Sequence, residues 1–209
     1  GFLSEELRQR TANRAAEHLG GTRGTYDRVH PNDHVNMGQS TNDVFPTATR
    51  LALLAAHAPL LAAARALVES FAAQEFGGYA SSLRRGADDV AAAAEQLLEL
   101  NIGATAVGTG LNAGEAYRTR VVAILARDTG LPLRPAENLF RVTQSMGDVL
   151  AYTGALRRLA VELGKIAADL RLLSMGPRAG LSEVRLPAVQ PGSSIMPGKV
   201  NPSIPEMVN

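Results

Sequence analysis

Apolar side chains recur along most of this chain at the three- and four-residue spacing of α-helices. The clearest stretch lies at 147–173, where eight large apolar side chains are separated alternately by three and four residues. This heptad pattern predicts a long helix with one continuous apolar face, which needs partner helices from the same chain or from other copies. The eight residues are Val149, Tyr152, Leu156, Leu159, Leu163, Ile166, Leu170 and Leu173.

The same criterion predicts four further helices. They are expected at 1–19, from about Asn42 or Asp43 onward, at 76–100 and at 115–128. The second of these repeats leucines every seven residues and tolerates Pro46 in its first turn. No convincing pair of strands is visible, so we expect an all-α protein, a bundle of long and nearly antiparallel helices with polar loops at its ends.

Composition and charge narrow the class of protein. The 209 residues are 45% hydrophobic but only 4% aromatic, which suits closely packed helices rich in Ala and Leu. A net charge of +1 predicts no nucleic-acid partner and no attraction to anionic membranes, and the absence of cysteine excludes disulfides and thiolate chemistry. The most apolar run, 51–64, contains His57 and Pro59 and is too short for a bilayer, so we expect a cytoplasmic protein.

Small polar residues are concentrated in three loops, at 30–43, 101–112 and 175–202. Within the last, residues 190–202 combine two glycines and three prolines with serines, a lysine and an amide. Such a loop either connects two helices or acts as a mobile lid that delivers a serine and a lysine to a bound anion. The Gly/Thr run at 103–110 fits close backbone packing better than a phosphate cradle, because no Lys-Ser/Thr pair follows it.

The loop 192–202, GSSIMPGKVNP, followed by Glu206, resembles the signature loop of the fumarase/aspartase superfamily. The segments HPNDHVNMGQSTNDVFPT at 30–47, GATAVGTGLN at 103–112 and LSMGPRAGL at 173–181 resemble three further segments of that superfamily. Within it the sequence is most similar to the aspartate ammonia-lyases, with the class II fumarases as near neighbours. The resemblance implies a long-helix bundle that forms a homotetramer with active sites shared between subunits.

On this resemblance, residues 1–42 are the end of an N-terminal domain and the first substrate-binding loop. Residues 43–209 are the central helical-bundle domain with the signature loop at 190–202, and the C-terminal domain is expected to be absent. Two internal segments that bind substrate in the family have no counterpart, one between about Glu5 and Ala12 and one after Ala73. Their absence leaves open whether the 209-residue chain is active by itself.

The reaction implied is the elimination of ammonia from the dicarboxylate L-aspartate to give fumarate, without a required cofactor. Any activation by a divalent metal ion is not readable from the sequence, and no His/Asp/Glu cluster has metal-ligand spacing. The carbon-3 proton is weakly acidic beside an existing carboxylate anion, so catalysis must stabilise an aci-carboxylate with preorganised donors. By resemblance, Ser193 is the general base and Lys199 the group that supports its alkoxide and binds a substrate carboxylate.

The resemblance also implies a wider set of substrate contacts. Residues 40–42 stand at a helix start, where free N–H groups and the helix dipole favour an anion, although simple capping is the alternative. A secondary anion site is implied at His30, Asn32 and Asp33, where turn chemistry is the preferred explanation. Glu206 either orients Lys199 or is a solvated carboxylate at a helix start. The full set of implied substrate-binding residues is Ser40, Thr41, Asn42, Ser194, Lys199 and Asn201.

Two alternative functions remain open at this point. The first is a class II fumarase, which removes water in place of ammonia on the same scaffold. The second is a catalytically inactive helical assembly protein of the same superfamily.

Overall fold

The structure is a computed structural model, and it describes residues 2–72, 76–176, 178, 180–190, 192, 195–196 and 198–209. Within these residues the chain forms seven α-helices, which confirms the predicted fold class. Short elements accompany them, namely a π-helical turn at Pro31–Val35 and a 3₁₀ turn at Glu95–Leu98. The helices are α1 Phe2–His18, α2 Thr41–Phe71, α3 Gly77–Ala94, α4 Glu115–Thr129, α5 Leu139–Gln144, α6 Gly147–Leu173 and α7 Ser203–Val208.

The chain divides into two compact units. Unit 1 comprises Gly1–His57 and Ala94–Leu150, and unit 2 comprises Ala58–Ala93 and Ala151–Asn209. Both α2 and α6 contribute residues to each unit, so this division differs from the domain boundary between residues 42 and 43 that the resemblance implies. That boundary therefore stays a prediction.

The heptad helix α6 has the predicted extent, but the chain buries only one of its two apolar tracks. Tyr152, Leu159 and Ile166, spaced seven residues apart, are each less than 5% exposed. The alternate positions of the same series are only half-buried. They are Val149, Leu156, Leu163 and Leu170, and Leu173 at the end of the buried track is half-buried as well. One protomer thus leaves the second apolar track of α6 only partly covered.

Helix α2 is 31 residues long and continues through Pro59. Its buried side chains near the start follow helical spacing at Asp43, Thr47, Arg50 and Leu54, whereas most of the later residues are exposed or half-buried. In the described part of the chain, α2 alone is long and apolar enough to cross a membrane by length and composition. This corrects the expectation that the run 51–64 is too short, because the helix extends the apolar run in both directions.

The predicted helix at 76–100 ends earlier than expected. Helix α3 stops at Ala94, and a 3₁₀ turn leads to the two-residue strand β1 Glu99–Leu100. This strand pairs in parallel with β2 Arg134–Pro135, so the expectation of no strand pair is wrong. Two residues are too few to produce the polar and apolar alternation that identifies a strand in sequence. The six-residue helices α5 and α7 are likewise too short for a helical period to stand out.

Each unit has its own packed interior. In unit 1 the buried apolar residues include Leu97, Leu100 and Ile102, which lie in or next to β1, and Val122 on α4. In unit 2, α3 and α6 approach closely at Gly86, where an added Cβ would lie 3.0 Å from Leu159 Cδ1. A larger residue at this point would therefore force the Leu159 side chain to shift.

Candidate active site

Residues 40–43 form the first turn of α2, and their hydrogen bonds are those of a capping box. The Ser40 Oγ accepts a hydrogen bond from Asn42 N (3.2 Å), and the Asp43 carboxylate accepts one from Ser40 N (2.9 Å). The Ser40 carbonyl also accepts from Val44 N at 3.0 Å. The donors at this helix start are largely satisfied within the turn. Ser40 N and Asn42 N therefore have partners within the turn, so the donors that remain for a ligand are mainly side chains, and anion binding at this helix start stays a prediction.

The side chains of this turn are accessible to a ligand. Thr41 and Asn42 are exposed and Ser40 is half-buried. Because the Ser40 Oγ acts as an acceptor within the turn, its own proton remains to be donated. The Asn42 amide donates to Ala106 O at 2.7 Å, which leaves its second amide hydrogen and its oxygen for other partners. The turn therefore offers uncharged hydroxyl and amide donors, which suit a carboxylate.

The side chain of Asp43, the last residue of this turn, is completely buried. One carboxylate oxygen accepts from Ser40 N, and the other accepts from Gly103 N at 3.1 Å and Thr105 N at 2.9 Å. Burial raises the pKa of the Asp43 carboxyl above its usual range, and the backbone hydrogen bonds oppose that shift. The carboxylate thus fastens the start of α2 to the loop that follows β1.

The loop at 101–106 adopts a strained turn against the start of α2. Thr105 has φ of 60°, a left-handed conformation that a β-branched residue rarely adopts. Gly103 has φ of 83°, and a Cβ there would lie 3.1 Å from Arg118 Cβ. The glycine run therefore serves close backbone packing, as the sequence indicates, and its N–H groups bind a carboxylate of the chain itself. Strain of this kind accumulates at functional sites.

A second buried polar group supports the same turn from the other side. Asn101 donates through Nδ2 to Asn42 O at 3.1 Å, and its Oδ1 accepts from Arg50 Nη1 at 3.3 Å. Arg50, which is also completely buried, pairs through Nε with Asp148 Oδ2 at 2.6 Å. In the described part of the chain, Arg50 Nη2 and Asp148 Oδ1 are buried without a hydrogen-bond partner. A chain of buried polar contacts thus runs from α6 to the backbone of Asn42.

Tyr117 on α4 belongs to the same environment. Its pKa is raised, first by burial and then by the nearby charge of Asp43. The phenol therefore stays protonated beside the carboxylate. This arrangement adds a polar wall to the buried side of the turn.

The signature loop lies in unit 2 and has a different character. Its lysine, Lys199, is exposed, whereas Asn201 is half-buried. The backbone folds back on itself so closely that an added Cβ at Gly192 would overlap the carbonyl of Lys199. A depression of about 500 Å³ is formed there, lined by Ala188, Val189, Gln190, Gly192, Gly198, Lys199 and Val200. The exposed amine therefore borders an open depression on the surface of unit 2.

The predicted base, Ser193, and its neighbour, Ser194, lie outside the described residues, and their roles stay predictions. The anchoring of the loop next to them is visible. Gln190 Nε2 donates to Ser203 Oγ at 2.7 Å, and Ser203 N donates to Asn201 O at 2.9 Å. These contacts tie the loop to the start of α7. The structure therefore brings Ser40, Thr41 and Asn42 together in unit 1, and Lys199 and Asn201 together in unit 2.

The predicted secondary anion site forms the π-helical turn. The imidazole Nδ1 of His30 accepts hydrogen bonds from Asn32 N (3.3 Å) and Asp33 N (3.2 Å). The Asp33 carboxylate also lies 3.2 Å from this nitrogen, but two backbone N–H groups that point at it favour the unprotonated acceptor over an ion pair. His34 Nδ1 similarly accepts from His30 N at 2.9 Å. These contacts support the turn explanation, and the anion site stays a prediction.

Glu206 lies in the first turn of α7 and is exposed. Within the part of the chain that the structure describes, its carboxylate makes no ion pair or hydrogen bond with Lys199. This favours a solvated acid at a helix start over an orienting role, which stays a prediction. Among the described residues, no group of three or more His, Asp or Glu side chains is arranged to hold a metal ion.

Three residues of the site, Asp43, Asn101 and Arg50, were not singled out from the sequence. Asp43 has a recognisable signal, since Ser40 and Asp43 have the spacing of a capping box. Arg50 also has one, because residues 43, 47, 50 and 54 share one face of α2. Asn101 carries no comparable signal.

Comparisons with known proteins show which family the chain belongs to. The family described as "Lyase" matches residues 4–75 and 71–209. An aspartate ammonia-lyase of Pseudomonas aeruginosa is 47% identical over 224 residues, covering 95% of this chain and 47% of the relative. A fumarate lyase:delta crystallin structure from Brucella melitensis, bound to cobalt, has 48% identity and a TM-score of 0.82, covering 95% of this chain and 48% of that one. A class II fumarase structure from Schistosoma mansoni has 33% identity and a TM-score of 0.86, covering 98% and 51%.

The fold and the sequence define a member of the all-helical lyases, and the chain belongs to the lyase family matched by that comparison. The chain spans about half the length of the curated relatives it matches. The alignment with the Pseudomonas relative extends over 224 positions, which is longer than the 209 residues of this chain. The relative therefore carries internal residues with no counterpart here, in keeping with the predicted internal gaps.

Proposed function

We propose that the protein containing this chain eliminates ammonia from L-aspartate to give fumarate. The observation that carries the proposal is the turn at 40–42, which offers uncharged donors on a base of buried polar contacts. Relatives named aspartate ammonia-lyase are 44–47% identical to this chain over 95% of its length, which supports this choice of reaction. L-Aspartate and fumarate are both small dicarboxylates, so the same donors can serve substrate and product.

The proposed role of the turn is to bind a substrate carboxylate or the amine. Ser40, Thr41 and Asn42 contribute hydroxyl and amide groups, which stabilise a developing aci-carboxylate without adding a competing charge. Their fixed hydrogen bonds reduce the reorganisation that accompanies the reaction. Preorganisation of this kind is the usual source of electrostatic stabilisation in enzymes.

The proposed role of the loop 190–202 is the proton transfer. Ser193 removes the proton from carbon 3, and Ser194 is an adjacent donor. Lys199 stabilises the alkoxide of Ser193 and binds a carboxylate together with Asn201. Support comes from the exposed amine of Lys199, which borders an open depression on the surface of unit 2. The proposed reaction uses no cofactor.

We also propose that the protein is a homotetramer in which other copies complete each active site. The half-exposed heptad track of α6 and the apolar length of α2 support it, because such faces need partner helices. In such a tetramer other copies, and not lipid, cover the apolar surface of α2. The proposal therefore favours a cytoplasmic protein without membrane or nucleic-acid partners. Light scattering tests this proposal, and a monomer or a membrane-bound fraction contradicts it.

A second candidate is a fumarate hydratase. The TM-score of 0.86 to a class II fumarase favours it specifically, since the same scaffold can remove water in place of ammonia. A third is a helical assembly protein without activity, which the missing internal positions favour.

The experiment that separates these functions follows fumarate by its ultraviolet absorbance in purified protein. Addition of L-aspartate is expected to produce fumarate, and addition of L-malate is not. Fumarate from malate alone overturns the proposal in favour of the hydratase. Absence of fumarate from both substrates, with the tetramer intact by light scattering, identifies the inactive assembly protein.

A further inference from the structure

The carboxylate of Asp43 is unusual because its partners are backbone donors. It is completely buried, and the hydrogen bonds described above come from Ser40 N, Gly103 N and Thr105 N. No ion pair to Asp43 is present in the described part of the chain. A buried charge is costly unless hydrogen bonds replace its hydration. Here the replacing donors come from two segments of the chain, so Asp43 does more than cap α2.

The two carboxylate oxygens act on different segments. One oxygen holds the backbone at Ser40, and the other holds the left-handed turn at Gly103 and Thr105. That turn places Ala106 O where it accepts from the Asn42 amide at 2.7 Å. The orientation of the Asn42 side chain thus depends on both segments at once, and Asp43 is the group that joins them.

We propose that Asp43 is a positioning residue for the ligand-binding turn 40–42. It sets the distance between the start of α2 and the turn at 103–106, and so fixes the donors that Ser40 and Asn42 present to a dicarboxylate. The inference rests on the proposed function for the identity of the ligand. Asp43 itself, being completely buried, does not touch that ligand.

The substitution Asp43→Asn tests this role with almost no change in volume. An amide has a single acceptor oxygen, so it cannot satisfy Ser40 N and the pair Gly103 N and Thr105 N together. We expect the dissociation constant of succinate, an unreactive dicarboxylate, to rise about tenfold or more by calorimetry. In steady-state kinetics the KM for L-aspartate is expected to rise by a similar factor, with a smaller change in kcat.

The matched control is Glu99→Gln, an equivalent change in the same unit. Glu99 accepts from Glu137 N at 3.0 Å and pairs with Arg141, but in the part of the chain that the structure describes it has no hydrogen bond or ion pair with residues 40–43. This variant is expected to lose some thermal stability and to keep the succinate dissociation constant of the unsubstituted protein. An equal loss of affinity in both variants contradicts the proposal, because general destabilisation then explains the effect.

A second pair of variants keeps the test valid if Asp43→Asn does not fold. Gly103→Ala places a side chain at φ of 83° against Arg118, which displaces the N–H from Asp43 while the carboxylate remains. Gly130→Ala introduces a similar strain at φ of 70°, where nothing lies within 4 Å of the new Cβ. We expect weaker succinate binding only in Gly103→Ala. Equal affinities in the two variants overturn the proposal.

The outcomes distinguish this inference from the proposed reaction. Succinate binding that weakens in Asp43→Asn, in a protein with no turnover of L-aspartate, supports the positioning role and removes the proposed reaction. Turnover of L-aspartate, together with a succinate dissociation constant that is unchanged in Asp43→Asn, supports the proposed reaction and removes the positioning role. Absence of succinate binding by the unsubstituted protein contradicts both.

Discussion

The turn at 40–43 and the loop at 190–202 are implied to act on the same kind of substrate, yet they are held in opposite ways. The turn rests on a buried carboxylate and a buried asparagine, with hydrogen bonds that reach across unit 1. The described side chains of the loop, including Lys199, Met196 and Val200, are largely exposed, and the contacts that anchor it are local. The difference indicates a rigidly held turn in unit 1 and a more weakly held, solvent-facing loop in unit 2.

This contrast has an energetic basis. Buried polar networks stabilise one arrangement because every alternative leaves polar groups without partners. An exposed loop has no such penalty, and its conformation depends on backbone close approach at positions such as Gly192. Substitutions in the two regions should therefore separate turnover from binding and from stability.

The largest effect is expected for Ser193→Ala in the loop. Removal of the proposed base should lower kcat by several orders of magnitude, because the reaction then lacks the group that takes the proton from carbon 3. Thermal unfolding should be unchanged, and so should the dissociation constant of succinate within a small factor. Turnover close to that of the unsubstituted protein removes Ser193 as the base.

Lys199→Met is expected to have the next largest effect. Loss of the amine should reduce kcat/KM for L-aspartate by about 10²–10³, the range measured when one stabilising donor is removed from an active site. Because Lys199 is exposed, the melting temperature should not change. Arg185→Met, which removes another exposed cation of unit 2, is the control and should leave kcat/KM nearly unaltered. An equal loss of kcat/KM in Arg185→Met contradicts a specific role of Lys199, because the overall positive charge then explains the effect.

Arg50→Met is expected to affect stability. The substitution leaves the mostly buried Asp148 carboxylate without its cation, which costs about 3–5 kcal/mol in free energy of unfolding. The control is Arg158→Met, whose partner Asp89 and guanidinium are both about half-exposed, and there the loss should be below about 1 kcal/mol. Urea unfolding measures both values. Similar losses of unfolding free energy in the two variants contradict this expectation, because the buried pair then stabilises the protein no more than the exposed pair does.

The smallest effect is a dependence of stability on pH that originates at Asp43. Its folded-state pKa is raised, mainly by burial, so the folded protein holds this proton more tightly than the unfolded chain does. The free energy of unfolding should therefore decrease as the pH rises from the usual carboxyl pKa through the raised value. Asp43→Asn should lack this decrease. A pH profile that is identical in both proteins contradicts the raised pKa.

The sequence predicts the long elements well because their signal is periodic. The heptads of α6 and the seven-residue repeat of α2 are directly visible, and the small polar residues at 40–42 stand out against apolar surroundings. Asp43 and Arg50 are harder to assign, since a charged residue near a helix start usually faces water. The partner of Asp43 is backbone at Gly103 and Thr105, about sixty residues away, and a backbone N–H has no residue-type signature.

The contrast between the two regions is tested most directly by amide hydrogen exchange, measured residue by residue in the unsubstituted protein. The amides of Ser40, Gly103 and Thr105, which donate to the buried carboxylate, are expected to exchange orders of magnitude more slowly than the amide of Lys199. Protection that is equal at Lys199 and at these three amides contradicts the account, because the turn would then be no more firmly held than the loop.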